Sequence, residues 1–222
     1  MRELEQLQAR ADAAKAADMA AYHKVPRPYL GVAAPVIDEL ARGWRAELDL
    51  PGRIDLAGRL WDSNVHEARI AAAKLLTQAR IRPDDAVWRL IAGWVPQFDA
   101  WAIADHAMGA GARRLVADPA RLDEVETWLD HPQFWVRRAA LVGTLPWTRI
   151  RNPKPLDLAR RDRILGWLGR LADDREWFVQ KAIAWWLRDL SRHDPQAVRD
   201  WLAQHGPRLK PFARREAGRW LG

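Results

Sequence analysis

FVQKAIAWWLR, residues 178–188, places apolar residues at three- and four-residue spacing and reads as a helix. Two other stretches repeat its pattern: HEARIAAAKLL at 66–76 and WVRRAALVGTL at 135–145. Each carries a basic residue followed by a small or apolar helical stripe. Arg69, Arg138 and Lys181 occupy the corresponding slot, separated by 69 and 43 residues. A HEAT-type repeat spans roughly 35–45 residues, so the first gap has room for two. WAIADHAMGAGARRL, residues 101–115, fills it, and its Asp105 lies 36 residues after Arg69 and 33 before Arg138. Repeats of this period stack as helix pairs. The predicted fold is therefore all-α, a HEAT-like helical-repeat solenoid, with residues 1–222 forming one domain. Its basic slots are expected to line a concave face able to follow a phosphate backbone. The competing assignment makes the same cations solvated residues or caps of neighbouring helices.

The rest of the chain agrees with an all-helical reading. IDELARGWRAEL, DEVETWLD, RILGWLGRLADD and PQAVRDWLAQH show the same spacing. Turn signals fall between them at Pro26 and Pro28, Pro51-Gly52, Pro83-Asp84, Asp118-Pro119, His131-Pro132, Asn152–Pro155, Asp194-Pro195 and Gly206-Pro207. Asp-Pro and His-Pro suit helix starts, because the first helical turn tolerates proline. No alternating β-branched run predicts a strand.

Composition narrows the partners. Lys+Arg number 36 against 29 Asp+Glu, giving a net charge of +7 and a pI near 10.3. That balance favours a polyanion such as nucleic acid. Only six of the 36 are lysines, a skew that a GC-rich genome also produces. Cysteine is absent, which excludes disulfides and thiolate metal sites. The six histidines lack metal-ligand spacing, no Gly-rich phosphate loop is present, and no cofactor or metal is expected. The N-terminal stretch lacks the apolar core of a signal peptide and no 18-residue apolar run occurs, so the expectation is a cytoplasmic protein with no membrane contact; a solenoid that wraps duplex DNA is expected to work as a monomer.

Trp101 and Asp105 stand four residues apart and share one helix face. A carboxylate beside an indole attracts a cation, within a chain whose overall charge attracts an anion. A positively charged base within DNA satisfies both. The alternatives are core packing for Trp101 and an ion pair with Arg113 or Arg114 for Asp105.

Taken in order, AAYHKVPRPYLGVAAP, LWDSNVHEARIAAAKLL, the WxxxD element at Trp101–Asp105, FWVRRAALVGTL, FVQKAIAWWLRDLSRHDP and RREAGRWL make the chain resemble the bacterial DNA alkylation repair family, the AlkD-type HEAT-like DNA glycosylases. The resemblance covers most of the chain. It implies catalytic roles for Asp105, Trp101 and Trp185, and DNA-binding roles for Arg138 and Tyr22; Arg69 and Lys181, from their basic repeat slots, are expected as further phosphate contacts. It departs at Ala102, where the family often has an acid after the tryptophan, and at Pro26 and Pro28, which stiffen the N-terminal segment. The implied reaction is hydrolysis of the N-glycosidic bond of cationic alkylated purines, such as 3-methyladenine and 7-methylguanine, in double-stranded DNA and without base flipping. A non-catalytic module that binds damaged or branched DNA is the alternative, and Asp105 separates the two.

Overall fold

The computed structural model describes all 222 residues and contains only helices and their connections. In chain order they are α1 (Arg2–Gln8), α2 (Ala13–His23), α3 (Ala34–Glu47), α4 (Leu50–Asp62), α5 (His66–Leu75), α6 (Asp85–Trp94) and α7 (Trp101–Ala117). There follow α8 (Leu122–Thr127), α9 (Phe134–Gly143), α10 (Pro155–Arg170), α11 (Trp177–Ser191), α12 (Pro195–His205) and α13 (Pro211–Ala217). Five short 3-10 turns join them. The all-α class and the helical-repeat reading hold. No helix is long and apolar enough to cross a membrane.

The chain divides into two compact units, Met1–Ala117 and Asp118–Gly222. In the first, α5 lies against α3, α4 and α7. Every residue of α5 except Lys74 is buried, and four of them are alanines, which let neighbouring helices approach closely. In the second unit α11 takes the same central place, against α9, α12 and α13. Thus HEARIAAAKLL and FVQKAIAWWLR, matched in sequence, are also matched in role.

Buried polar side chains fasten the connections, as burial requires. Glu67 accepts hydrogen bonds from the amides of Leu30 and Gly31 at 3.0 and 2.7 Å, fixing the chain between α2 and α3. Gly31 there has φ +75°, and a Cβ would stand 2.2 Å from the Asp12 carbonyl oxygen, so only glycine fits. Arg114, fully buried, donates to the carbonyls of Gln78, Ala79 and Ile81 and pairs with Asp84 at 3.1 Å. Gln180 donates to the carbonyls of Ala172 and Asp174 and accepts from the Lys210 amide.

Several boundaries differ from the sequence expectation. Pro51-Gly52 is not a break; Asp49 caps α4 by accepting from the Gly52 amide, so the pair sits in the first helical turn. DEVETWLD is helical only to Thr127 and tightens into a 3-10 turn at Trp128–Asp130. RILGWLGRLADD ends at Arg170 rather than Asp174. His131-Pro132 precedes α9 instead of starting it.

Candidate functional site

Trp101 opens α7, and Asp105 follows one turn later. Trp101 is 38% exposed, which removes it from the core, and Asp105 is half-buried. The two line different clefts. Trp101 borders one of about 350 Å³ with His23, Val32, His66 and His106, whose wall is mainly apolar. Asp105 borders one of about 210 Å³ with Asp38, Lys74 and His106. His106 belongs to both. Lys74 is held by Asp38 at 2.6 Å, which places a tethered cation in the wall that contains Asp105.

Trp101 sits in an aromatic cluster that the sequence reading only touched at Tyr22. The exposed Tyr22 meets it edge-on at 6.5 Å, and His23 lies 5.9 Å away. His23 in turn packs on His66 at 4.6 Å and stacks parallel to Tyr29 at 6.0 Å. Burial pushes the His66 imidazole down to about 3, reinforced by His23, Arg27 and His106. Burial also lowers His106, against the upward pull of the Asp105 carboxylate. The buried His66 ring is therefore neutral near pH 7. The adjacent Arg27 side chain is buried and paired with Asp99. The aromatic–basic segment AYHKVPRPYL was the signal for this cluster, but sequence could not show that the ring of His66 would meet it.

The basic slots do not share one environment. Arg69 is 8% exposed; its guanidinium lies 4.7 Å over the Trp61 ring and donates to the Trp61 carbonyl, and burial lowers its pKa. Arg138 is 3% exposed and donates to the Phe178 carbonyl at 2.9 Å. Both cations thus tie one helix to the end of another. Lys181 is exposed and rests 4.7 Å over the Trp177 ring. Adjacent helical positions diverge by about 100°, and Trp185 and Trp186 follow that rule. Trp186 is fully buried, whereas Trp185 is half-buried in the wall between two clefts of the second unit.

Residues 4–221 match the family model described as DNA alkylation repair enzyme. The chain belongs to that family. It therefore takes part in DNA alkylation repair as an enzyme acting on DNA. No curated protein matches it. Among solved structures, it is similar to a predicted DNA alkylation repair enzyme from Enterococcus faecalis, with TM-score 0.79 and 24% identity over 96% of this chain and 97% of that one. AlkD2 from Streptococcus mutans gives TM-score 0.65 at 19% identity, covering 85% of this chain and 90% of that one. The protein smu.31 from Streptococcus mutans UA159 gives 0.64 at 19%, covering 84% and 92%. At these identities the likeness carries the fold. The Trp101–Asp105 element of this DNA alkylation repair enzyme opens α7 beside two clefts, with Trp101 exposed and Asp105 half-buried.

Proposed function

We propose that this DNA alkylation repair enzyme is a monofunctional glycosylase that hydrolyses the N-glycosidic bond of cationic alkylated purines in double-stranded DNA, without enclosing a flipped base. The observation that carries this reading is the pairing of accessible Trp101 with Asp105, one turn apart at the start of α7.

Alkylation at a ring nitrogen gives the purine a positive charge. Breakage of the C1′–N9 bond sends the electron pair to the base, which leaves neutral, and builds positive charge on the deoxyribose. Water then adds to C1′ and gives up a proton. Asp105 is proposed to face that developing cation and to orient the water. A unit charge pair at 4 Å and an effective dielectric of 20 interacts by about 4 kcal/mol. Applied to the transition state alone, that is roughly 10³-fold in rate. Trp101 would present its ring to the cationic nucleotide, a contact of about 0.5–2 kcal/mol, and Trp185 is proposed as a second aromatic contact. Asp105 should therefore dominate.

Exposed Tyr22 and Lys181 are proposed as direct DNA contacts. Arg69 and Arg138 are already bonded to main-chain carbonyls. Their first effect on DNA binding is to hold the helices that carry the exposed groups. The enzyme is proposed to act as a monomer in the cytoplasm.

Release of purine bases from methylated duplex DNA, compared between wild type and Asp105→Asn, tests the reading. The expected result is release of 3-methyladenine or 7-methylguanine by wild type, reduced about 10³-fold in the variant with duplex affinity retained. Equal release by both removes Asp105 from the chemistry. Duplex binding with no release of any base assigns the chain instead to binding damaged or branched DNA.

A further inference from the structure

Within the first unit, α5 packs against both α3 and α7. Lys74 is the one residue of α5 that is not buried, and it lines the cleft of about 210 Å³ that contains Asp105. Two carboxylates line that cleft, Asp38 from α3 and Asp105 from α7. Lys74 is bonded to the first, its ammonium donating to Asp38 Oδ1 at 2.6 Å. The backbone of the lysine is held from the same helix, because Arg45 of α3 donates to the Lys74 carbonyl at 2.9 Å. Thr77, His106 and Gly109 complete the wall, and the Thr77 hydroxyl donates to the Ala73 carbonyl.

A lysine carries its charge on a flexible four-carbon stem, so its ammonium can exchange one carboxylate for another within reach. Charges across a partly buried cleft act on one another far more strongly than in water. A free ammonium in this wall would oppose the positive charge that base release builds on the sugar. Paired with Asp105, it would cancel the carboxylate proposed to meet that charge. The His106 ring shows that these groups act on one small space. Burial lowers its pKa, the Lys74 ammonium lowers it further, and the Asp105 and Asp38 carboxylates oppose them. Pairing on α3 neutralises Lys74 without engaging Asp105.

We propose that Asp38 is a positioning residue: by holding the Lys74 ammonium on α3 it keeps that cation off Asp105, so that the cleft favours a positively charged sugar. This rests on the role proposed for Asp105 in base release.

The test compares the affinity of the full chain for two duplexes. In one, a single deoxyribose is replaced by a pyrrolidine, a protonated amine; in the other, by a neutral tetrahydrofuran. No bond breaks in either, so the ratio reads the field at the site rather than turnover. Wild type should prefer the cationic duplex. Asp38→Asn, which frees Lys74, should lower that preference about tenfold. Asp38→Glu, which keeps a carboxylate, should retain most of it, and Asp38→Asn combined with Lys74→Met should restore it. A pair that merely ties α3 to α5 would lower the melting temperature in these variants and leave the preference unmoved, which overturns the proposal. So does a wild type without preference, or a double variant as weak as Asp38→Asn. Lys74→Met that weakens both duplexes alike and flattens the salt dependence by about 0.9 in slope makes Lys74 a phosphate contact instead. Base release from methylated duplex is measured separately. Its absence in wild type removes the glycosylase reading, while the Asp38 series, read on binding alone, still decides this one.

Discussion

Single residues here divide by where the helix points them. Trp185 and Trp186 are neighbours in sequence, yet only Trp186 is fully buried. Trp186→Ala is expected to cost about 3–5 kcal/mol of stability, measured by urea unfolding. Trp185→Ala should leave unfolding nearly unchanged and slow base release about 2- to 30-fold. A reversed pattern would take Trp185 out of the site. His66 gives a pH prediction. Its imidazole is pushed from an ordinary 6.5 to about 3 in the folded chain, so the unfolded chain binds the proton more readily between those values. Stability from this residue is complete above about pH 6.5 and is lost as pH falls toward 3, by roughly 4 kcal/mol across the window. His66→Phe should flatten the pH dependence of the unfolding free energy there. An unchanged profile would mean that His66 is not held neutral by its surroundings.

At the scale of elements, the recurring device is a buried polar side chain that collects the carbonyls or amides of a helix connection. Arg114 on α7 collects three carbonyls and Asp84. Arg114→Met should destabilise the protein by about 3 kcal/mol or more, because Asp84 and the carbonyls lose their donor. A change within about 0.5 kcal/mol, the scatter of neutral surface variants, would contradict this. The matched slots of the repeats were legible because a period of helix pairs leaves a mark in sequence. Their environments were not. Arg69 turns onto Trp61 and Arg138 onto the Phe178 carbonyl, while Lys181 stays in solvent. Which way a long cation turns depends on whether a neighbouring helix end offers an acceptor, and that is a tertiary fact.

Over the whole molecule, the count of 36 cations overstates what is free to meet DNA. Arg163 and Arg170 are occupied by Asp123, Glu126 and Asp130, and Arg208 by Asp173. Salt-dependent binding should therefore follow the uncompensated, exposed cations. Lys181→Ala is expected to reduce the slope of log affinity against log salt by about 0.9 for duplex DNA. Arg138→Ala should instead act first on melting temperature. If Arg138→Ala flattened the slope and Lys181→Ala did not, the buried arginine would be the phosphate contact.

Residue order was enough for the helical class, the repeat period, the family and the pairing of Trp101 with Asp105. These are local or periodic properties: residues four apart share a helix face wherever the helix goes. Packing between distant segments left Trp101 accessible beside His23 and His66, brought Trp185 rather than Trp186 to a cleft, and fastened Arg69 and Arg138 inside. Burial and hydrogen-bond partners come from segments distant in the chain, and no spacing within one helix encodes them.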